Sequence, residues 1–147
     1  MSTFELFLQL PLFKGVDKDD LFSLVPKINL DFEHYLPDEV VFSRQMVPKG
    51  LVYLLNGQVI VKTIDSEQVI SGTCLLSFSG LFGSNRSYKM DATAKNGCSI
   101  LSIDTKSLLF LLRNSPVFLS NYLDFLSDII DCKLTSDSLT LSETINQ

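Results

Sequence analysis

The spacing of apolar residues changes three times along this chain. Near the start, Asp17-Lys-Asp-Asp20 resembles a capping box, and Leu21, Phe22, Leu24 and Val25 follow at helical spacing. This predicts a short helix running to about Pro26, with Leu10, Leu12 and Phe13 as an apolar lead-in. From Ile28 to about Ile103 the pattern becomes short runs of Val, Ile, Phe and Tyr, broken by Pro37, Pro48, Gly50, Gly72, Gly80, Gly83 and Gly97. Such runs read as short strands. In Leu51-Val-Tyr-Leu-Leu-Asn-Gly-Gln-Val-Ile-Val-Lys, two β-favouring runs flank Asn56-Gly57, which predicts a tight type I′ hairpin. Turn signals every eight to twelve residues favour a closed roll or sandwich over a βαβ fold.

After Asp104 the period turns helical. Leu108, Leu109, Leu111 and Leu112 mark one amphipathic segment that Asn114-Ser115-Pro116 interrupts, and a longer helix begins near Pro116, a residue favoured in the first turn. Along it, Leu119, Leu123, Leu126, Ile130 and Leu134 form one stripe, and Phe118, Tyr122, Phe125, Ile129 and Cys132 form a second beside it. One stripe can cover the roll. The other is expected to meet the same helix of a second copy in a two-fold dimer, with Phe118, Tyr122, Phe125, Ile129 and Cys132 as the interface; the alternative is that both stripes pack within one chain. Thr135-Ser-Asp-Ser is expected to break the helix, and Thr140-Leu-Ser-Glu143 then forms a new capping box close to the end. Residues 135–147 are therefore expected to be a hinge and the start of a further helix, the alternative being a frayed tail.

The chain has 147 residues, 46% of them apolar and 20% charged, within the range of a globular chain with one core. Its net charge of −5 is the wrong sign for a surface that neutralises a duplex, so these residues alone are not expected to bind DNA. The N-terminus lacks a basic stretch and is interrupted by Glu5, and no apolar run approaches a membrane span, which makes a cytoplasmic location the expectation and a membrane partner not. Cys74, Cys98 and Cys132 lie in apolar sequence and read as buried free thiols. With one histidine, His34, expected on a strand surface or edge, the chain cannot build a multi-histidine metal site, and no catalytic, metal or cofactor residue is assigned. The serines lack a nucleophile elbow, and Gly80-Leu-Phe-Gly83 lacks the Gly-Lys-Ser/Thr ending of a phosphate loop, so no enzyme is predicted.

Four segments in order resemble the cyclic-nucleotide-binding domain as used in Crp/Fnr transcription regulators. They are Leu10-Pro-Leu-Phe-Lys-Gly-Val-Asp-Lys-Asp-Asp-Leu21, Tyr53-Leu-Leu-Asn-Gly-Gln-Val59, Phe78-Ser-Gly-Leu-Phe-Gly83, and Ala94-Lys-Asn-Gly-Cys-Ser-Ile-Leu-Ser-Ile103. The resemblance implies a mainly β fold with flanking helices: a double-stranded β-helix, or jelly-roll-like β-roll, followed by a long dimerisation helix at about 116–134. It divides the chain into a sensor domain at 1–134 and, at 135–147, a hinge and the start of a helix-turn-helix domain through which DNA would be bound.

Nucleotide-binding members of that family carry a Glu for the ribose hydroxyls and an Arg for the cyclic phosphate. Here Ser84 stands at the Glu position, and Tyr88 and Lys89 stand where Arg would precede Ser or Thr. A ring phosphate needs a bidentate cation and the ribose a carboxylate, and neither Arg86 nor Lys89 restores both. The resemblance thus implies an effector-sensing homodimer that does not respond to cAMP, with its unknown small molecule near Gly80, Phe82, Gly83, Ser84, Arg86, Tyr88 and Lys89. Two alternatives stay open: a ligand-free dimerisation module whose roll is filled by Tyr88 and its neighbours, and a true nucleotide site using Arg86. An open polar-lined cavity would favour the sensor, a filled apolar core the module.

Overall fold

The computed structural model describes residues 3–136. Eight strands lie between two pairs of helices. In chain order these are α1 (Thr3–Gln9), α2 (Lys18–Leu24), β1 (Leu30–Tyr35), β2 (Val40–Phe42), β3 (Gly50–Asn56), β4 (Gln58–Lys62), β5 (Glu67–Ser71), β6 (Cys74–Ser77), β7 (Asp91–Ala94), β8 (Cys98–Asp104), α3 (Thr105–Asn114) and α4 (Pro116–Ser136). The expected α2, α3 and α4 are present, and α1 is a further helix ahead of the apolar lead-in at Leu10, Leu12 and Phe13. The chain divides into two units, one formed by the residues up to Phe22 with those from Leu111 onward, the other by Ser23–Phe110.

The second unit is a β-roll, as expected. Its sheets are antiparallel, in the order β1-β8-β3-β6 and β2-β7-β4-β5. β1 pairs with β8, β2 with β7, β3 with β6 and β4 with β5, so the whole segment is one long hairpin rolled up on itself. Further pairing of β8 with β3 and of β7 with β4 closes each sheet. The tip of the hairpin is Thr63–Ser66, where the Thr63 N–H donates to the Ser66 carbonyl at 2.9 Å.

That topology corrects the expected hairpin at Asn56-Gly57. β3 and β4 belong to different sheets and do not pair, and Asn56 is not in the positive-φ region that a type I′ turn demands. Instead the pair carries the chain around a corner. Gly57 has φ +89°, and a Cβ there would collide with the Gly97 carbonyl, so this crossing needs glycine for conformation and for space.

Between the sheets lies a core of Phe42, Val52, Leu54, Val59, Val61, Leu76, Tyr88, Ala92, Ala94, Cys98 and Ile100. On the opposite face of the β1-β8-β3-β6 sheet, Leu51, Tyr53, Leu101 and Ile103 are also buried. The Tyr53 hydroxyl is buried without a hydrogen-bond partner, and burial pushes its pKa up. His34 is exposed on the edge strand β1, within 3.3 Å of the Ser99 hydroxyl, as expected. Of the cysteines, Cys98 is buried, Cys74 half-buried and Cys132 exposed, so the expectation of three buried thiols fails for Cys132.

In the first unit Phe7, Leu10, Leu12 and Phe13 are buried. Phe13 meets Phe7 edge-on at 4.7 Å and Phe118 at 4.9 Å, while the Asn121 side chain donates to the carbonyls of Leu12 and Lys14. The start of α4 is built by Ser115, whose hydroxyl accepts the Phe118 N–H at 3.2 Å, ahead of Pro116 in the first turn. These contacts correct the proposed dimer interface at two positions. Phe118 (0% exposed) and Tyr122 are inside the protomer, because the N-terminal aromatic cluster covers the face of α4 that carries them. The exposed stripe of that region is the neighbouring one, with Leu123 at 54% and Ile130 at 57%; Ile129 and Cys132 of the second stripe are exposed as well. The expected break at Thr135-Ser-Asp-Ser is not seen at Thr135 and Ser136, which are helical, and the capping box at Thr140 lies outside the described residues.

Candidate functional site

The inner face of the β1-β8-β3-β6 sheet follows from its register. Asp31 lies opposite Ser102, Glu33 opposite Ile100 and Tyr35 opposite Cys98, while Ser102 and Ile100 lie opposite Val52 and Leu54 of β3. Residues paired directly across strands share a face, so Asp31, Glu33 and Tyr35 stand on the same side as the core residues Ile100, Cys98, Val52 and Leu54. The apolar residues of β1 turn the other way, and Phe32 is 51% exposed on the outer side. β1 thus presents its acidic face to the interior of the roll.

A cavity of about 350 Å³ opens there, at the small end of the range for small-molecule sites. Its floor is apolar, made by Val41, Phe42, Val52, Tyr88 and Ile100, with Met46 and Val47 at its entrance from the loop after β2. Polar groups ring the opening: Asn29, Asp31, Glu33, Tyr35, Lys49, Ser102 and Asp104. The loop is tied down at both sides. Arg44 forms an ion pair with Asp91 at 3.1 Å, and the Tyr88 N–H donates to the Met46 carbonyl at 3.1 Å.

The ring is electrostatically uneven. Asp31 is hydrogen-bonded to Glu33, which raises its pKa, and Glu33 is lowered, first by the hydroxyl of Tyr35 that donates to it and then by Asp31. The two carboxyls therefore titrate as a pair, with the proton favoured on Asp31. Burial and the bond to Glu33 push the Tyr35 hydroxyl up. Asp104 caps α3: it accepts the Ser107 N–H at 2.7 Å and the Asn29 side chain at 3.1 Å. Burial tends to raise its pKa, but those hydrogen bonds outweigh burial and the carboxyl ends below its ordinary value.

Of the seven residues singled out for ligand binding, only Tyr88 lines this cavity. Its ring stacks on Phe42 at 4.1 Å and 7°, so it occupies core space beside the turn. Gly80 has φ +77°, and a Cβ would collide with the Ser87 carbonyl, so the loop folds tightly onto itself. Phe82, Gly83, Ser84, Arg86 and Lys89 are exposed. The Arg86 guanidinium donates to the Gly83 carbonyl at 3.1 Å, and the Lys89 ammonium donates to the Asn85 and Ser87 carbonyls and the Ser87 hydroxyl. The cations nearest a would-be phosphate thus bind their own loop. Asp31 and Glu33 were missed by the sequence reading; the signal for them was present in Leu-Asp-Phe-Glu-His-Tyr, two acids spaced to share one face of a strand.

The fold is shared with solved sensor domains and cyclic-nucleotide-binding domains. The sensor domain of the transcriptional regulator DNR from Pseudomonas aeruginosa superposes with a TM-score of 0.75 at 18% identity, covering 94% of this chain and 98% of that one. The Thermus thermophilus catabolite activator protein superposes at 0.70 with 18% identity over 86% of this chain, which spans 62% of that protein. A cAMP-bound PfPKA-R structure matches at 0.71 with 16% identity, covering 95% of this chain and 48% of that one. No family model matches the sequence, and no curated protein does. Among the described residues no helix is long and apolar enough to cross a membrane.

Proposed function

We propose that this chain is the effector-sensing and dimerisation domain of a Crp/Fnr-type transcription regulator, that it is not an enzyme, and that its effector is not cAMP. The observation that carries this reading is the polar-rimmed cavity left open inside a roll of sensor-domain fold. A module meant only to dimerise would fill that space, and Tyr88 does fill the part beside the turn. The cavity beyond it remains. Against cAMP stands the loop at 80–89, which has no acid at Ser84 and whose Arg86 and Lys89 are bonded to its own carbonyls. DNA contact would belong to a helix-turn-helix part connected through residues 135–147, and the regulator would act in the cytoplasm.

Dimerisation is assigned to α4, whose 21 residues extend about 32 Å. Leu119, Leu123, Leu126 and Ile130 recur at intervals of four, three and four, the spacing of a two-stranded coiled-coil seam, and Phe125, Ile129 and Cys132 flank them. A second copy offers the complementary seam by two-fold symmetry. Sedimentation should find a dimer that Leu123→Glu converts to a folded monomer; an unchanged dimer in that variant would remove α4 from the interface.

Sensing is tested by a thermal-shift titration of the chain with cAMP, cGMP and a panel of cationic, neutral and anionic metabolites. A ligand present at 100 times its dissociation constant adds about 2.7 kcal/mol of stability. Neither cyclic nucleotide should move the midpoint, and at least one other class should. A cAMP-induced rise abolished by Arg86→Ala would instead establish a nucleotide site, and silence across every class would establish the ligand-free module.

A further inference from the structure

We propose that the cavity at the β1 edge receives a small organic cation, an ammonium or guanidinium group on an apolar body, with Asp31 and Glu33 holding the charged head. This rests on the sensing reading and names its ligand class.

Three observations on the cavity converge. First, two acids stand on a strand face that otherwise belongs to the core, while Phe32 of the same strand is left half in solvent. An acidic pair on a face packed against core residues departs from the local rule, and such departures concentrate where a site is built. Second, the floor beneath those acids is Phe42, Tyr88 and Val52, and Tyr35 joins it at the side, so the charged head would meet both carboxylates and aromatic rings. Carboxylates with aromatic walls are the chemistry that recognises organic cations. Third, the charge balance favours a cation. Asp31, Glu33 and Asp104 line the cavity against one lysine, Lys49. Asp104 is committed to the Ser107 N–H and the Asn29 side chain, which leaves Asp31 and Glu33 for a ligand. Lys49 forms no ion pair with either acid among the described residues, although its charge lowers the pKa of both.

A metal ion is the poorer occupant, because among the described residues no three His, Cys, Asp or Glu side chains are grouped to hold one. An anion would meet net negative charge. An ammonium donor can bridge the two carboxylates, with Tyr35 still donating to Glu33.

The test is isothermal titration of the whole chain with phenethylammonium, choline and agmatine, against 2-phenylethanol as the neutral analogue and 3-phenylpropionate as the anionic one. At least one cation should saturate, with the neutral and anionic analogues weaker by about tenfold or more, a difference of about 1.4 kcal/mol. Asp31→Asn and Glu33→Gln should each weaken the cation by a similar factor. Both side chains are exposed on an edge strand, so an unchanged urea midpoint would confirm that the fold is intact. Lys49→Ala should tighten the same binding, a change that misfolding cannot mimic. Equal affinity for 2-phenylethanol, or cation binding indifferent to Asp31→Asn and Glu33→Gln, would overturn the proposal. Binding of anions or nucleotides with no response to any of the three cations would overturn it while leaving the sensing reading standing. Silence of every class would overturn both.

Discussion

The loop from Phe78 to Lys89 and the cavity beside β1 are two polar places on one roll, and they treat their charges in opposite ways. In the loop, Arg86 and Lys89 are bonded to carbonyls within a few residues of themselves, and the backbone closes so tightly at Gly80 that the Ser87 carbonyl leaves no room for a Cβ. The loop satisfies itself. Along β1, Asp31 and Glu33 stand on the same inward face, and among the described residues neither forms an ion pair. A self-satisfied segment has little to offer a ligand, whereas a pair of acids over an apolar floor has unmet capacity. The segment that carries the family's nucleotide signature is therefore not where this roll is open.

The comparison can be broken most forcefully at Phe42, which stacks on Tyr88 where the loop and the cavity meet. Phe42→Ala removes a ring buried to 2% exposure and should lower the stability measured by urea unfolding by about 3–5 kcal/mol. A loss below about 1 kcal/mol would mean that Tyr88 is not held by the core. A smaller effect is expected at Asp104, on the cavity side. Asp104→Ala uncaps α3 and should cost about 1 kcal/mol at neutral pH. Because the folded pKa of this carboxyl is lowered, its contribution is complete above the ordinary aspartate value near 4 and is lost as pH falls through the lower folded value. The gap between wild type and variant should accordingly close below about pH 4; a gap constant with pH would assign the cost to packing instead. As the loop-side reference, Arg86→Ala gives up one bond from an exposed side chain and should stay within about 0.5 kcal/mol.

Helix α4 shows the division between what is local and what is not. Two heptad stripes one residue apart were legible, as were the start at Pro116 and the separation from α3. Which stripe would be covered was not. The answer depended on Phe13, a residue about a hundred positions away, meeting Phe118, and on Asn121 reaching the carbonyls of Leu12 and Lys14. A period in the sequence defines faces but not their neighbours. Similarly, Asn56-Gly57 was recognised as a sharp change of direction, yet its role as a corner between sheets is a matter of which strands pair, and β3 finds β6 and β8 rather than β4.

The sequence by itself determined the succession of helix, roll and paired helices and the places where glycine turns the chain, because these rest on residue type and short-range spacing; the missing acid and arginine are read from the family resemblance. Tertiary structure alone decided that Asp31 and Glu33 face inward. Alternation in Leu-Asp-Phe-Glu-His-Tyr predicts two faces, one apolar and one acidic, without deciding which of them lies between the sheets. The pairing of β1 with β8 sets Glu33 across from Ile100, and a shift of one residue would have reversed every side chain. That register is a long-range contact between positions some seventy residues apart, which no local pattern encodes.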